Sequence, residues 1–226
     1  MFKFNNISTK DMNVVVEEEE NLIRKASYKY DKNEISGANG NEYIVNGLND
    51  IEITLKLFVL DVSKIDSILA WLNGAGELEY NGRVTTAYFF AEVSPQRAAS
   101  IKTIDVTLIR APLWHSKEDY QLVESDETKT NLGNYQSNPI IKLEKTTSNK
   151  LTIQFNDVVF SYSFPENEDY VILNTENGNA YYDGLLRNEY LEIDFKYPEM
   201  LVGLNEINLT SGDAKIYLKK KDCWLW

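Results

Sequence analysis

Residues 188–226, NEYLEIDFKYPEMLVGLNEINLTSGDAKIYLKKKDCWLW, decide the fold class. Leu191, Ile193 and Phe195 alternate with Glu192, Asp194 and Lys196, the period-two pattern of a strand with one buried face. Pro198 interrupts it, a short apolar run follows, and Gly203-Leu204-Asn205-Glu206-Ile207 restarts the pattern. Strand character continues through Leu209 and returns at Ile216–Leu218. Pro198, Gly203 and Asn205 read as turn residues, and Trp224 and Trp226 as packing residues. The stretch predicts the closing strands of a β-sandwich and contains no constellation of catalytic type.

The residues before it extend the same reading. Pro139 opens a run of short strands at Ile140–Leu143, Leu151–Phe155, Val158–Phe164, Tyr170–Leu173 and Ala180–Tyr182. Gly, Asn and Asp turns punctuate them in the manner of an all-β sandwich or barrel. A second domain is therefore predicted over 139–226. Residues 116–138 are polar and read as a linker, placed at 119–138, or as a partly ordered extension. Residues 1–118 predict an α+β first domain, so the fold class is mainly β. Its one helix is expected over Asp61–Asn73, with Val62, Ile65, Ile68, Leu69 and Leu72 in one apolar stripe, Trp71 at its edge and Gly74 as the stop. Ile51–Leu57, Thr85–Val93 and Ile101–Ile109 predict strands, and so does Val14–Val16. Ala26–Tyr30 also alternates. The Asn39-Gly40 pair in SGANGN predicts a hairpin turn, and Asn46-Gly47 a second turn.

The chain has 226 residues, 43% of them hydrophobic and 26% charged, enough to build one large core or two small ones. Its net charge is −12. Residues 1–120 carry 13 basic and 18 acidic side chains (−5), and the remainder 10 and 17 (−7). No basic region is segregated, which argues against a site for phosphate backbones. The single cysteine has no partner for an intrachain disulfide, which fits a reducing cytosol. No apolar run reaches the ~20 residues of a membrane span. The start, MFKFNNISTKDM, lacks the apolar core of a signal peptide, so the expectation is a soluble protein made in the cytoplasm.

Candidate chemistry is sparse. His115 is the only histidine and stands in APLWHSKEDY without a nucleophile motif. Cys223 reads as a buried structural thiol rather than a nucleophile. Glu17–Glu20 are consecutive, and consecutive side chains diverge, so solvated charge is expected there rather than a cation site. No Cys/His spacing suits zinc. No catalytic, metal or cofactor residue is assigned. The 14 tyrosines and 4 tryptophans leave two readings open, core and interface residues or a sugar-stacking platform.

In order and spacing, these segments resemble the distal tail proteins of phages with long non-contractile tails. FKFNNISTKDMNVVVEE is similar to that family's opening, and DVSKIDSILAWLNGAGELEY to its helix and following strand. GNYQSNPIIKLE resembles its lead-in to the second domain, and LRNEYLEIDFKYPEMLVGLNEINL its late Pro-turn, Gly, Asn, Ile pattern. The loop SGANG departs from the family, which often has Gly-Arg-x-Gly there. The resemblance implies a first domain that assembles into a hexameric ring and a galectin-like second domain on its periphery. The implied partners are further copies of the chain, the tail tube protein, tail-tip or baseplate hub proteins and receptor-binding proteins. DNA would pass in transit without being held. No enzyme activity, membrane contact or cofactor is implied, and interface residues are unassigned. Larger members carry inserted modules, for which 226 residues leave no room, so sugar binding is not expected of the chain. The reading from another class is a carbohydrate-binding β-sandwich module in host-surface adhesion.

Overall fold

A computed structural model describes residues 1–37, 39–90, 94–98, 101–124, 127–194 and 196–226; the side chains of 94–98 and 101 are outside the description. Ala38, Phe195 and the last three residues of the expected strand Thr85–Val93 thus lie outside the described residues. The chain divides into two compact units. The first is Met1–His115 with Leu225–Trp226, and the second is Ser116–Trp224.

The first unit is built on an antiparallel sheet. Its strands run in the order Ile7–Ser8, Phe2–Phe4, Gly74–Tyr80, Arg83–Phe89, Ile101–Arg110, Ile51–Val59, Val14–Glu17, and Ser94–Ala98 adds to Ile101–Arg110. Ile51, Ile53, Leu55, Leu57 and Val59 are buried while Glu52, Thr54 and Lys56 are exposed, as period-two alternation dictates. Register sets Ile53 opposite Leu108, Leu55 opposite Val106 and Leu57 opposite Ile104, so one face of the two longest strands becomes core.

The expected helix is shorter and starts differently. A 3-10 turn, Val62–Lys64, precedes the α-helix Ile65–Trp71. Asp61 caps it by accepting from the Ser63 amide at 3.0 Å. Because three residues complete a 3-10 turn, the stripe is rotated: Val62 is exposed, and Ile68, Trp71 and Leu72 are buried. Trp71 is a core residue here rather than a stripe edge. It stacks on Phe2 and donates its indole N–H to the Phe4 carbonyl at 2.9 Å.

The second unit consists of two sheets. One has the order Gln121–Val123, Ala214–Lys219, Ile140–Lys145, Tyr170–Asn174, Asn179–Tyr182, Leu185–Leu186; the other Glu127–Asn131, Gly203–Ser211, Lys150–Phe155, Val158–Ser163, Leu191–Ile193. A single core takes Leu143, Leu173 and Leu218 from the first and Leu151, Phe155, Phe160 and Ile207 from the second, which makes the pair a sandwich. The expected linker over 119–138 is therefore corrected: it supplies an edge strand to each sheet. Edge strands sit half in solvent, so their polar composition reads as loop. Only Val123 and Asn131 mark the buried side, Val123 as a core residue and Asn131 through its side-chain amide, which donates to the Tyr135 carbonyl. Trp226, read as a packing residue within the second domain, groups with the first unit instead, together with Leu225; there its carbonyl accepts from Arg83 and its ring lies under Lys25.

Asn205, expected as a turn residue, is fully buried and organises the turn from within. Its carbonyl oxygen accepts from the Leu201 amide and Asn156 Nδ2, both at 2.8 Å, and its amide donates to the Leu201 and Gly203 carbonyls, both at 2.9 Å. Replacing Asn205 with Ala strands these groups and is expected to cost about 2 kcal/mol in urea denaturation. Asn205→Asp, which cannot donate to the two carbonyls, is expected to cost at least as much.

Candidate functional site

Beyond the core residue Ala26, the strands Tyr28–Glu34 and Asn41–Leu48 leave the core of the first unit. Tyr28–Glu34 and Asn41–Leu48 pair only with each other as a two-stranded sheet, and nearly every residue in them is exposed. The turn lies where Asn39-Gly40 predicts it, with Gly37 at φ 84° and Gly40 at φ 102°. Asn46-Gly47 does not turn the chain. It forms a β-bulge inside the second strand, where the register shifts between Lys29 and Tyr30 and Gly47 takes φ 129°.

The pairing sorts the side chains into two faces. Tyr28 opposes Leu48, Tyr30 opposes Val45 and Lys32 opposes Tyr43, which places three tyrosines, a valine and a leucine on one side. Lys29, Asp31, Asn33, Glu42 and Asn46 occupy the other, together with Ile44, and there Asn46 donates to Asp31 at 2.6 Å. Tyr30 and Tyr43 meet edge to face at 5.4 Å, yet they stay 58% and 56% exposed, and Val45 59%. A two-stranded hairpin is marginal in water by itself. This one carries an apolar face that no described residue of its own unit covers, and exposed apolar patches of this kind are typical of interaction surfaces.

A second open surface lies at the sheet edge. Val14–Glu17 ends the strand order, Val15 and Leu60 are exposed, and a groove of about 390 Å³ runs beside them, lined by Met1, Thr9, Lys10 and Val14. An edge strand next to apolar side chains can accept another chain.

The four glutamates diverge. Glu17 pairs with Lys56 at 3.5 Å, Glu18 accepts from Asn21, and Glu19 pairs with the terminal ammonium of Met1. No group of three or more metal-ligating side chains exists among the described residues. His115 lies in the short strand Trp114–Ser116 and Cys223 in Cys223–Trp224. In the second unit, Lys142 sits over the rings of both Tyr170 and Tyr217, at 5.1 and 5.5 Å, and competes with a sugar for those faces.

Neither a family profile nor a curated protein matches the sequence. Among solved structures, the chain is similar to Dit of phage SPP1, with a TM-score of 0.75 and 13% identity over 96% of this chain and 97% of that one. The chain has the fold of a phage distal tail protein. SPP1 Dit is described as a paradigm of the hub adsorption apparatus in phages infecting Gram-positive bacteria. A looser likeness, TM-score 0.48 at 10% identity over 97% of both chains, is to the baseplate of phage P2 in its activated, calcium-bound conformation. The distal tail fold agrees with the resemblance read from the order of segments.

Burial, and secondarily the Glu176 and Asp222 carboxylates, push the Cys223 thiol up to about 12. The thiol is expected to resist thiol reagents at pH 8 until the chain is denatured. The native state holds this proton more tightly than the unfolded one, whose thiol has its ordinary value of 9.0, so the Cys223 contribution to stability is present below pH 9 and is lost as pH rises to about 12. Cys223→Ser is expected to flatten that part of the alkaline stability profile.

Proposed function

We propose that this chain is a structural virion protein. It forms a hexameric ring at the distal end of a phage tail, joins the tail tube to baseplate or tail-tip proteins, and leaves a channel for DNA. The observation that carries this reading is the uncovered aromatic face of the hairpin, on a chain with the distal tail fold. A protruding element of one copy that docks on a different surface of the next makes a heterologous contact, which closes into a ring when the rotation allows. The edge strand Val14–Glu17, with Val15 and Leu60 exposed beside it, is the apolar acceptor on the neighbouring copy.

The charge balance supports passage of DNA rather than its retention. At a net charge of −12, with both halves acidic, phosphates are repelled by the ring. The partners are the tail tube protein, hub proteins and receptor-binding proteins; the protein is made in the bacterial cytoplasm, resides at the tail tip, and performs no catalysis.

Native mass spectrometry of the purified chain, alone and mixed with its tail tube protein, tests the proposal. A hexamer is expected in at least one condition, and a strict monomer in both sinks it. Tyr30→Glu combined with Val45→Lys puts charge on the aromatic face. The expected result is loss of the hexamer with the monomer's stability changed by no more than about 0.5 kcal/mol, as for exposed positions in general.

A further inference from the structure

Arg110 ends the strand Ile101–Arg110 and is fully buried, with no carboxylate partner among the described residues. Its guanidinium is satisfied by backbone. Nε donates to the Leu22 carbonyl at 2.8 Å and Nη2 to the Arg24 carbonyl at 2.5 Å. Nη1 donates to the carbonyls of Ala111, at 2.8 Å, and Pro112, at 3.3 Å, and the guanidinium lies 5.1 Å from the Trp114 ring centre.

The carbonyls held at Leu22 and Arg24 belong to the segment that leads into the hairpin at Tyr28. The backbone of Arg110 pairs with Ile51, three residues past the hairpin's last residue, Leu48. One residue therefore grips the chain where it enters the hairpin, through its side chain, and where it leaves, through its main chain. Between those grips the base is closed by the Asn49 amide donating to the Ser27 carbonyl at 2.8 Å. Beyond that point the hairpin residues are exposed, and nothing in the first unit's core steers them.

A buried cation is a costly way to fill space; a methionine or leucine would fill it without the desolvation. The guanidinium supplies what those cannot, a planar fork of donors aimed at carbonyls in separate directions. Burial draws its pKa down to about 10, which leaves it charged at neutral pH.

We propose that Arg110 is the positioning residue of the assembly hairpin: its fork fixes the angle at which the hairpin leaves the first unit, and so the direction in which the aromatic face points. The proposal rests on the reading of that face as the ring contact.

The test uses the full chain with nitroxide labels on Ser67→Cys, an exposed position of the helix Ile65–Trp71, and Asn33→Cys, diluted with unlabelled chain; the buried Cys223 stays in place. Pulsed dipolar spectroscopy reads the distance distribution in the parent, Arg110→Lys and Arg110→Met, and mass measurement reads assembly. The parent is expected to give one narrow distance. Arg110→Lys keeps the charge but reaches fewer carbonyls, and is expected to broaden the distribution about twofold, as for a segment released from its root. The assembled fraction should fall with it. A residue that merely filled the core would lower the melting temperature without moving this distance, and where Arg110→Met does not fold, Arg110→Lys decides. An unchanged distribution in every folded variant overturns the proposal. A parent that never assembles, while Arg110→Lys still broadens the distance, overturns the ring reading alone and upholds the role of Arg110.

Discussion

A buried guanidinium must find acceptors, and Arg110 finds all of its own on the backbone. That requirement ties three pieces of the first unit together: the 3-10 turn Glu19–Ile23, the end of the strand Ile101–Arg110, and the Ala111-Pro112 bend that follows it. Withdrawing any of these carbonyls would leave part of a charge unsolvated, which no nearby side chain can compensate. The pieces therefore keep their relation to one another, and the hairpin starts from a fixed base although its own strands are surrounded by water.

The two units satisfy themselves differently. The second meets several of its buried polar groups through side chains of its own. Asn205 closes a turn through four hydrogen bonds, and Lys220 reaches Asp222 at 3.4 Å, Glu118 at 3.5 Å and the Thr130 carbonyl at 3.2 Å. Its close packing extends to the backbone: a Cβ at Gly133 would fall 1.9 Å from the Cys223 carbonyl oxygen. The first unit leaves an aromatic face and a sheet edge open. The proposed assembly rests on those two surfaces of the first unit and needs no metal-binding group, of which none of three or more ligands occurs among the described residues.

The strands with one wet and one dry face were legible because alternation is a direct imprint of the pleat; Ile51–Val59 is the clearest case. The hairpin turn was legible in its Asn-Gly pair. Less was legible where two structures share one signal. Asn46-Gly47 carries the same dipeptide and makes a bulge, since φ above zero serves either purpose. Glu127–Asn131 reads as loop because a strand at an edge needs few apolar residues. The apolar face of the hairpin was present as Tyr28, Tyr30, Tyr43, Val45 and Leu48, but it becomes a face only once the bulge restores the phase between Val45 and Leu48. Arg110 gave no sequence signal, because its partners are carbonyls, which every residue has.

The bulge makes chain length a variable of this surface. Val45 and Leu48 are three residues apart, an odd spacing that strict alternation would send to opposite sides; the extra residue brings both beside the tyrosines. Loss of a single codon at Asn46 or Gly47 would return the strand to strict alternation. Val45 and Leu48 would then stand two residues apart and stay on one side, so the face would survive the loss of the bulge. The bulge thus marks a position where the surface tolerates a change of length, whereas a deletion or insertion elsewhere in the strand, with no bulge to absorb it, would turn one end of the face over without exchanging any of its side chains.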